Sequence, residues 1–274
     1  MVTELPSSLE SRIADYYTGF RGVGPTRRTR YLNFGYWAPG CDDLDDACEK
    51  LTDMLADAAG MREGDRVVDA GFGYADQDLH WLETRRPELI VGLNITPSQV
   101  EIARERVRER NLADRLDLRV GSATDMPLAA GTFDRVVALE SAFHFDTRQD
   151  FFREAFRVLR PGGGLAVADV IPLGGRREER IRDLNAVWGG FVPPDNLYDR
   201  DTYAERLREV GFADISVQDI SGNVYRPLLD HLRRHLGERG DLQMSEDVLA
   251  WGMAQYMTHT EYAIASARKP VGPE

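Results

Sequence analysis

The stretch "VVDAGFGYADQDLHW", Val67 to Trp81, decides the fold. An apolar run ends at Asp69, meets Gly71 and Gly73, and passes directly into residues of helical spacing. Glycines let a backbone approach a ligand closely, and the first turn of a helix offers N–H groups without intrahelical partners. The stretch therefore reads as a strand, a cofactor-seating turn and a helix.

Outward from it, strand and helix signals alternate, the pattern of a parallel sheet covered on both faces. "RVVDA" is the first strand and "DQDLHWLETR" its helix. "LIVGLNI" is the second strand, followed by a helix opened by "TPSQ", with Thr96 as cap, Pro97 in the first turn and Gln99 at the third position. "LDLRVG" and "FDRVVALES" supply two more strands. "RQDFFREAFRVLRPGGG" is an amphipathic helix stopped by Pro161 and the glycines, and "LAVADVI" is the fifth strand. "FADISVQDIS" and "TEYAIASARK" alternate as two further strands at an antiparallel edge. The expected fold is α/β: a seven-stranded, mostly parallel sheet with helices on both faces and a helical lid.

Four regions follow. Residues 1–60 form a helical, aromatic cap with "YLNFGYWAPG" and a helix carrying Leu44, Ala47, Cys48, Leu51 and Leu55; residues 61–171 form the ligand-binding core. Residues 172–200 are a lid insertion bearing Trp188 and Phe191, and 201–274 complete the sheet. In open α/β sheets ligands lie beyond the carboxyl ends of the strands, so insertions there line the site.

Composition narrows the function. With 34 Lys plus Arg against 46 Asp plus Glu, the net charge of −12 repels nucleic-acid backbones and anionic membranes. The basic runs "ERVRERN" and "RREERIRD" carry acids among their arginines and read as solvated helix faces. No apolar run approaches the ~20 residues of a membrane span, and the start lacks a secretion-signal layout, so a cytoplasmic protein is expected. Cys41 and Cys48 read as packing residues, and no metal is expected. Oligomeric state stays open, a homo-oligomer included.

The glycine turn discriminates among cofactors. A dinucleotide fingerprint wants a third glycine where Asp76 stands, and a carboxylate there repels a pyrophosphate. A phosphate-cradling loop would need a lysine and a serine or threonine after the glycines, which are missing. An adenosyl cofactor without phosphates, carrying sulfonium and ammonium groups, suits Asp69 and Asp76.

"VVDAGFG" resembles the first motif of the class I S-adenosylmethionine-dependent methyltransferases. "GLNIT", "GSATDMPL", "FDRVVALES" and "FREAFRVLRPGGGLAVADV" resemble their later motifs in order, so the likeness covers residues 60–270. "YLNFGYW", "GFGYADQDLHW" and "NITPSQVEIARER" are similar to the small-molecule branch that includes erythromycin-type sugar O-methyltransferases and related natural-product tailoring enzymes. The resemblance implies S-adenosyl-L-methionine as cofactor, S-adenosyl-L-homocysteine as product and a small-molecule acceptor. It implies that Gly71 and Gly73 pass under the methionine part, with Asp69 shaping the turn and Asp76 or Gln77 near the amino-acid end. Asp125 would accept from the adenine amino group, with Ala123 and Thr124 beside the ring. Asn94 departs from the family's acid for the ribose hydroxyls, and Gln99 is placed to share that contact.

A methyl sulfonium needs chiefly alignment and exclusion of water, but a sugar hydroxyl also benefits from a base. His144 in "LESAFHFD" follows the fourth strand, and Asp169 closes the fifth, so Asp169 is expected to orient the imidazole. The plainer alternative packs His144 between Phe143 and Phe145 and leaves Asp169 capping a turn. Glu140 is expected near the cofactor sulfur. Tyr36 and Trp37, with Trp188 and Phe191, are expected to line the acceptor pocket, with Tyr16, Tyr17 and Tyr198 as further aromatics. Asp42, Asp43, Asp45 and Asp46 read as capping and solvating the next helix. His231 and His235 read as surface residues. Two alternatives stay open: carbon methylation of an isoprenoid diphosphate held by Arg27, Arg28 and Arg30, and a binding protein without turnover, suggested by Asn94 and by Phe72 between the glycines.

Overall fold

The strand at Arg66–Ala70, β1, is buried from Val67 to Ala70 because helices cover both of its faces. In the computed structural model, which describes residues 8–19, 26–174, 190–235 and 246–272, β1 lies inside a seven-stranded sheet. Its companions are β2 (Leu89–Asn94), β3 (Leu116–Val120), β4 (Phe133–Leu139), β5 (Leu159–Pro172), β6 (Ala213–Asp219) and β7 (Thr260–Arg268). The spatial order is β3-β2-β1-β4-β5-β7-β6. The first five strands run parallel, while β7 is antiparallel to both β5 and β6. The sheet expected from the sequence is thus the one observed, and its strand order reverses between β1 and β4, where a crevice opens.

Alternation along the strands sorts the core into two layers. Val67, Val137 and Ala166 point to one face, where Leu51 and Leu55 of α2 (Leu44–Ala59) and Trp81 of α3 (Asp76–Thr84) pack. Val68, Val136 and Val167 point to the other, against Phe151 and Phe152 of α5 (Arg148–Val158) and Tyr203 and Leu207 of α6 (Arg200–Val210). Each such buried side chain contributes roughly 1.5–3 kcal/mol. Between these lies α4 (Pro97–Glu109), and later come α7 (Tyr225–His235) and α8 (Glu246–His259). Among the described residues no helix is long and apolar enough to cross a membrane.

The first helix, α1 (Leu9–Thr18), lies across the carboxyl ends of the strands. Its Glu10 carboxylate accepts from Ser122 just past β3 at 2.6 Å, and its Thr18 hydroxyl meets Ser98 at the start of α4 at 3.0 Å. One local expectation is corrected. Helix α5 ends at Val158, and Leu159 to Pro172 is strand, so Pro161 lies within β5 instead of terminating a helix. Leu159 turns extended to pair with Phe133. Thr96 occupies the expected cap position of α4, with no side-chain bond, and Asn94 Oδ1 accepts from the Thr96 N–H at 3.0 Å.

Candidate active site

The crevice is built by close approach of two loops. Gly71 has φ of +89°, and a Cβ there would stand 2.4 Å from Cβ of Ser141, whose hydroxyl donates to the Ala70 carbonyl at 2.6 Å. Position 71 is therefore restricted to glycine twice over, by backbone conformation and by space. At Gly73, with φ of +56°, a Cβ would meet nothing nearer than Leu32 at 3.9 Å, so the turn presents open backbone. Phe72 is fully buried, its ring against Gly92 of β2, where a Cβ would lie 2.6 Å from the ring. It anchors the loop to the sheet, which removes the reason to read it as a sign of lost turnover.

Beneath the loop, Asp69 is fully buried and accepts from Gln77 Nε2 at 3.0 Å. Burial pushes Asp69 up to about 7 and Asp78 well above the usual carboxylate range. Desolvation, and after it the neighbouring Asp69 charge, hold Asp78 toward its neutral form, since two adjacent buried carboxylates repel if both are charged. Asp78 was not singled out from the sequence. Asp76 does not face the crevice as a free carboxylate: it forms a two-pronged ion pair with Arg106 of α4, at 2.7 and 2.8 Å, and accepts from the Arg30 N–H. Arg106 also donates to the Tyr74 carbonyl, so this arginine of "ERVRERN" holds the loop to α4 and is not a solvated one.

At the end of β2, Asn94 donates to Gln99 Oε1 at 2.9 Å, and Gln99 Nε2 is buried with no partner. An orphaned donor at this corner fits a ribose hydroxyl. After β3, Thr124 is held by Ser122, Ala123 is buried, and Asp125 is exposed. Replacing Asn94 with Asp turns the Gln99 amide around so that its Nε2 donates to the new carboxylate, while the Thr96 N–H keeps an acceptor. Calorimetry is expected to give a cofactor Kd tighter than, or within about threefold of, the original, a change below ~1 kcal/mol. A larger loss would place the ribose elsewhere.

Glu140, at the end of β4, has φ of +49°, a conformation that costs a non-glycine residue about 1–3 kcal/mol. One carboxylate oxygen, Oε1, accepts from the Phe34 N–H at 2.6 Å and from the Tyr262 hydroxyl at 2.5 Å. Burial raises its pKa to about 8 against these two donors. Phe34, Tyr225, Tyr256 and Tyr262 pack edge-on or tilted around one another beside it.

His144 closes the turn Ala142–His144. Its Nδ1 lies 2.8 Å from the Phe191 carbonyl and can only donate to it, which leaves Nε2 with a lone pair, 3.0 Å from the Tyr17 hydroxyl of α1. Burial lowers the imidazole to about 4, the Phe191 bond opposing it, so the ring is neutral at ordinary pH. Burial raises the Tyr17 pKa, and its hydroxyl stays a donor. Asp169 does not orient this ring. Its carboxylate forms a fully buried ion pair with Arg148 at 2.8 Å and accepts from Tyr203 at 3.3 Å. An ionised carboxylate in that dry layer goes to the nearest fixed cation. The backbone carbonyl of Phe191 holds the tautomer instead.

The expected aromatic lining divides. Phe191 reaches the site, its ring 5.0 Å from that of Tyr16. Trp37 is core: its indole donates to the Phe34 carbonyl and its ring packs, tilted, 4.9 Å from that of His231, which is buried and not a surface residue. Tyr36 packs partly buried against the same cluster, and Trp188 lies outside the described residues. Asp45 is buried and accepts from the N–H groups of Arg27, Arg28 and Thr29, so it pins a loop instead of solvating a helix. Arg28 pairs with Asp43 and Asp46, and Arg27 donates to His235. Among the described residues no group of three or more His, Cys, Asp or Glu is placed to hold a metal.

Comparison with known proteins gives the family. Residues 68–167 match the methyltransferase domain family. The erythromycin 3''-O-methyltransferase of Saccharopolyspora erythraea is 44% identical over 89% of this chain and 85% of its own length. The 27-O-demethylrifamycin SV methyltransferase of Amycolatopsis mediterranei is 35% identical over 69% of each chain. Geranyl diphosphate C-methyltransferase of Streptomyces coelicolor A3(2), solved with S-adenosyl-L-homocysteine, has the same fold, with a TM-score of 0.77 over 97% of this chain and 100% of that one, at 17% identity. The chain belongs to the class I S-adenosylmethionine-dependent methyltransferases, in the branch that contains the erythromycin enzyme.

Proposed function

We propose that the chain transfers a methyl group to a hydroxyl of a sugar-bearing or polyketide-type natural product, with Nε2 of His144 as the base. The observation that carries this reading is the hydrogen-bonded row Phe191 carbonyl, His144, Tyr17 hydroxyl, which leaves an imidazole lone pair facing an O–H donor at 3.0 Å. An acceptor hydroxyl meets the same lone pair and gives up its proton as its oxygen attacks. When bound, S-adenosylmethionine supplies an electrophilic methyl group on sulfur. Gly71, Gly73, Asn94, Gln99, Thr124 and Asp125 are the residues proposed to hold it, with Asp69 and Gln77 shaping the turn from below. Glu140, at the strand end beside them and held toward its neutral form by burial, is proposed to lie near the cofactor sulfur. The protein's own work is to align the nucleophile, exclude water and take up one proton.

Similarity to the erythromycin and rifamycin enzymes supports an oxygen acceptor on a large natural product. The arginines considered for a diphosphate are engaged in part: Arg28 by Asp43 and Asp46, Arg27 by His235. Incubation with methyl-labelled cofactor and a panel of glycosylated macrolides, phenols and prenyl diphosphates tests the reading. Label in an ether of the macrolide sugar or polyketide supports it. Label on carbon, or none transferred while cofactor binds, overturns it.

A further inference from the structure

Asn196 grips the chain on both sides of His144. It ends the turn Pro194–Asn196, is 1% exposed, and donates one amide hydrogen to the Phe143 carbonyl at 3.1 Å and the other to the Phe145 carbonyl at 2.7 Å. Its Oδ1 accepts from the Arg148 N–H at 2.8 Å, and its own carbonyl accepts from the Arg148 guanidinium at 2.8 Å. Every polar atom of the side chain is therefore in use. Arg148 is immobilised in turn by Asp169 and by the faces of Tyr198 and Tyr203, at 4.8 and 5.1 Å. Five positions before Asn196, the Phe191 carbonyl fixes the imidazole itself.

We propose that Asn196 is a positioning residue for methyl transfer: by clamping the two carbonyls that flank His144, and by being held itself through Arg148 and Asp169, it sets the direction in which Nε2 points. The proposal rests on the reading of His144 as base. A buried asparagine needs three matched partners, a demand that an apolar residue filling the same space would avoid. The turn that carries His144 is only three residues long and cannot hold its own orientation. The Asp169 carboxylate that sequence reasoning assigns directly to the imidazole thus acts on it at one remove, through Arg148 and the backbone.

The test is Asn196→Ala, with kinetics and nitrogen-15 histidine NMR. The expected kcat is lower by about 10–100-fold, the loss that a misplacement near 1 Å brings, with cofactor Kd and acceptor KM within about threefold. Tyr17 is the titratable side chain bonded to His144, and it is unchanged, so the imidazole titration should move from about 4 toward 6.5 as water reaches the loosened turn. In the background of His144→Ala, the second substitution should cost nothing further. Unchanged kcat with an unchanged His144 titration overturns the proposal. If Asn196→Ala does not fold, hydrogen exchange on the wild-type protein decides: both Asn196 amide hydrogens should exchange slowly, and exchange at the rate of an exposed asparagine overturns the clamp. Should His144→Ala retain full turnover, the base reading fails, while the titration and the amide exchange still report on the clamp alone.

Discussion

Replacement of His144 with Ala is expected to lower turnover by roughly 10²–10⁴-fold, the range for a positioned general base. The cofactor Kd, measured by calorimetry, should stay within about twofold, because a group acting only on the acceptor proton contributes to kcat and not to cofactor binding. The pH profile carries the same assignment. Burial disfavours the charged imidazolium, so protonation is delayed to lower pH, and kcat/KM should rise through about 4 and stay flat across the range where an ordinary histidine near 6.5 would titrate. An acid limb near 6.5, or a fully active alanine variant, removes His144 from the chemistry.

Asp169→Ala should do its damage differently. It leaves the Arg148 guanidinium, 0% exposed, without its counter-ion in a dry layer. Breaking one partner of such a pair costs about 3–5 kcal/mol, which for a chain of this size lowers Tm by roughly 6–20 °C. Scanning calorimetry reads this directly. A catalytic carboxylate bonded to the imidazole would give the reverse pattern: Tm held and turnover lost by orders of magnitude. That result would restore the direct histidine–aspartate pair.

The difference between those two outcomes marks where sequence reasoning reaches its limit. The sheet was legible because each element is specified locally: apolar strands, glycine turns and capped helices announce themselves within a few residues. The glycine loop, Asn94, Gln99, Thr124, Asp125, Glu140 and His144 all sit at strand ends or in the helix turns that follow, and the parallel register brings them to one edge. What escaped was the partner of each polar side chain. Tyr17 meets His144 across 127 residues, and Asp76 meets Arg106 across 30, distances over which no spacing rule operates. Asp169 was assigned to the wrong partner because Arg148, at the first position of α5, reads as an ordinary surface arginine until packing buries it. His231 could have been found. It lies three residues after Leu228 on the apolar side of α7, a spacing that predicts burial. Pro161 misled for a different reason, since a proline after a helical run reads as a stop when the strand ladder has already begun at Leu159.

The dependence of His144 on the Phe191 carbonyl reaches into engineering. Exchanging the 190–199 stretch between related enzymes, in order to graft a new substrate preference, also exchanges the backbone oxygen that selects the imidazole tautomer. Chimeras made this way are expected to change turnover as well as substrate preference. A swap that spares positions 191 and 196 separates the two.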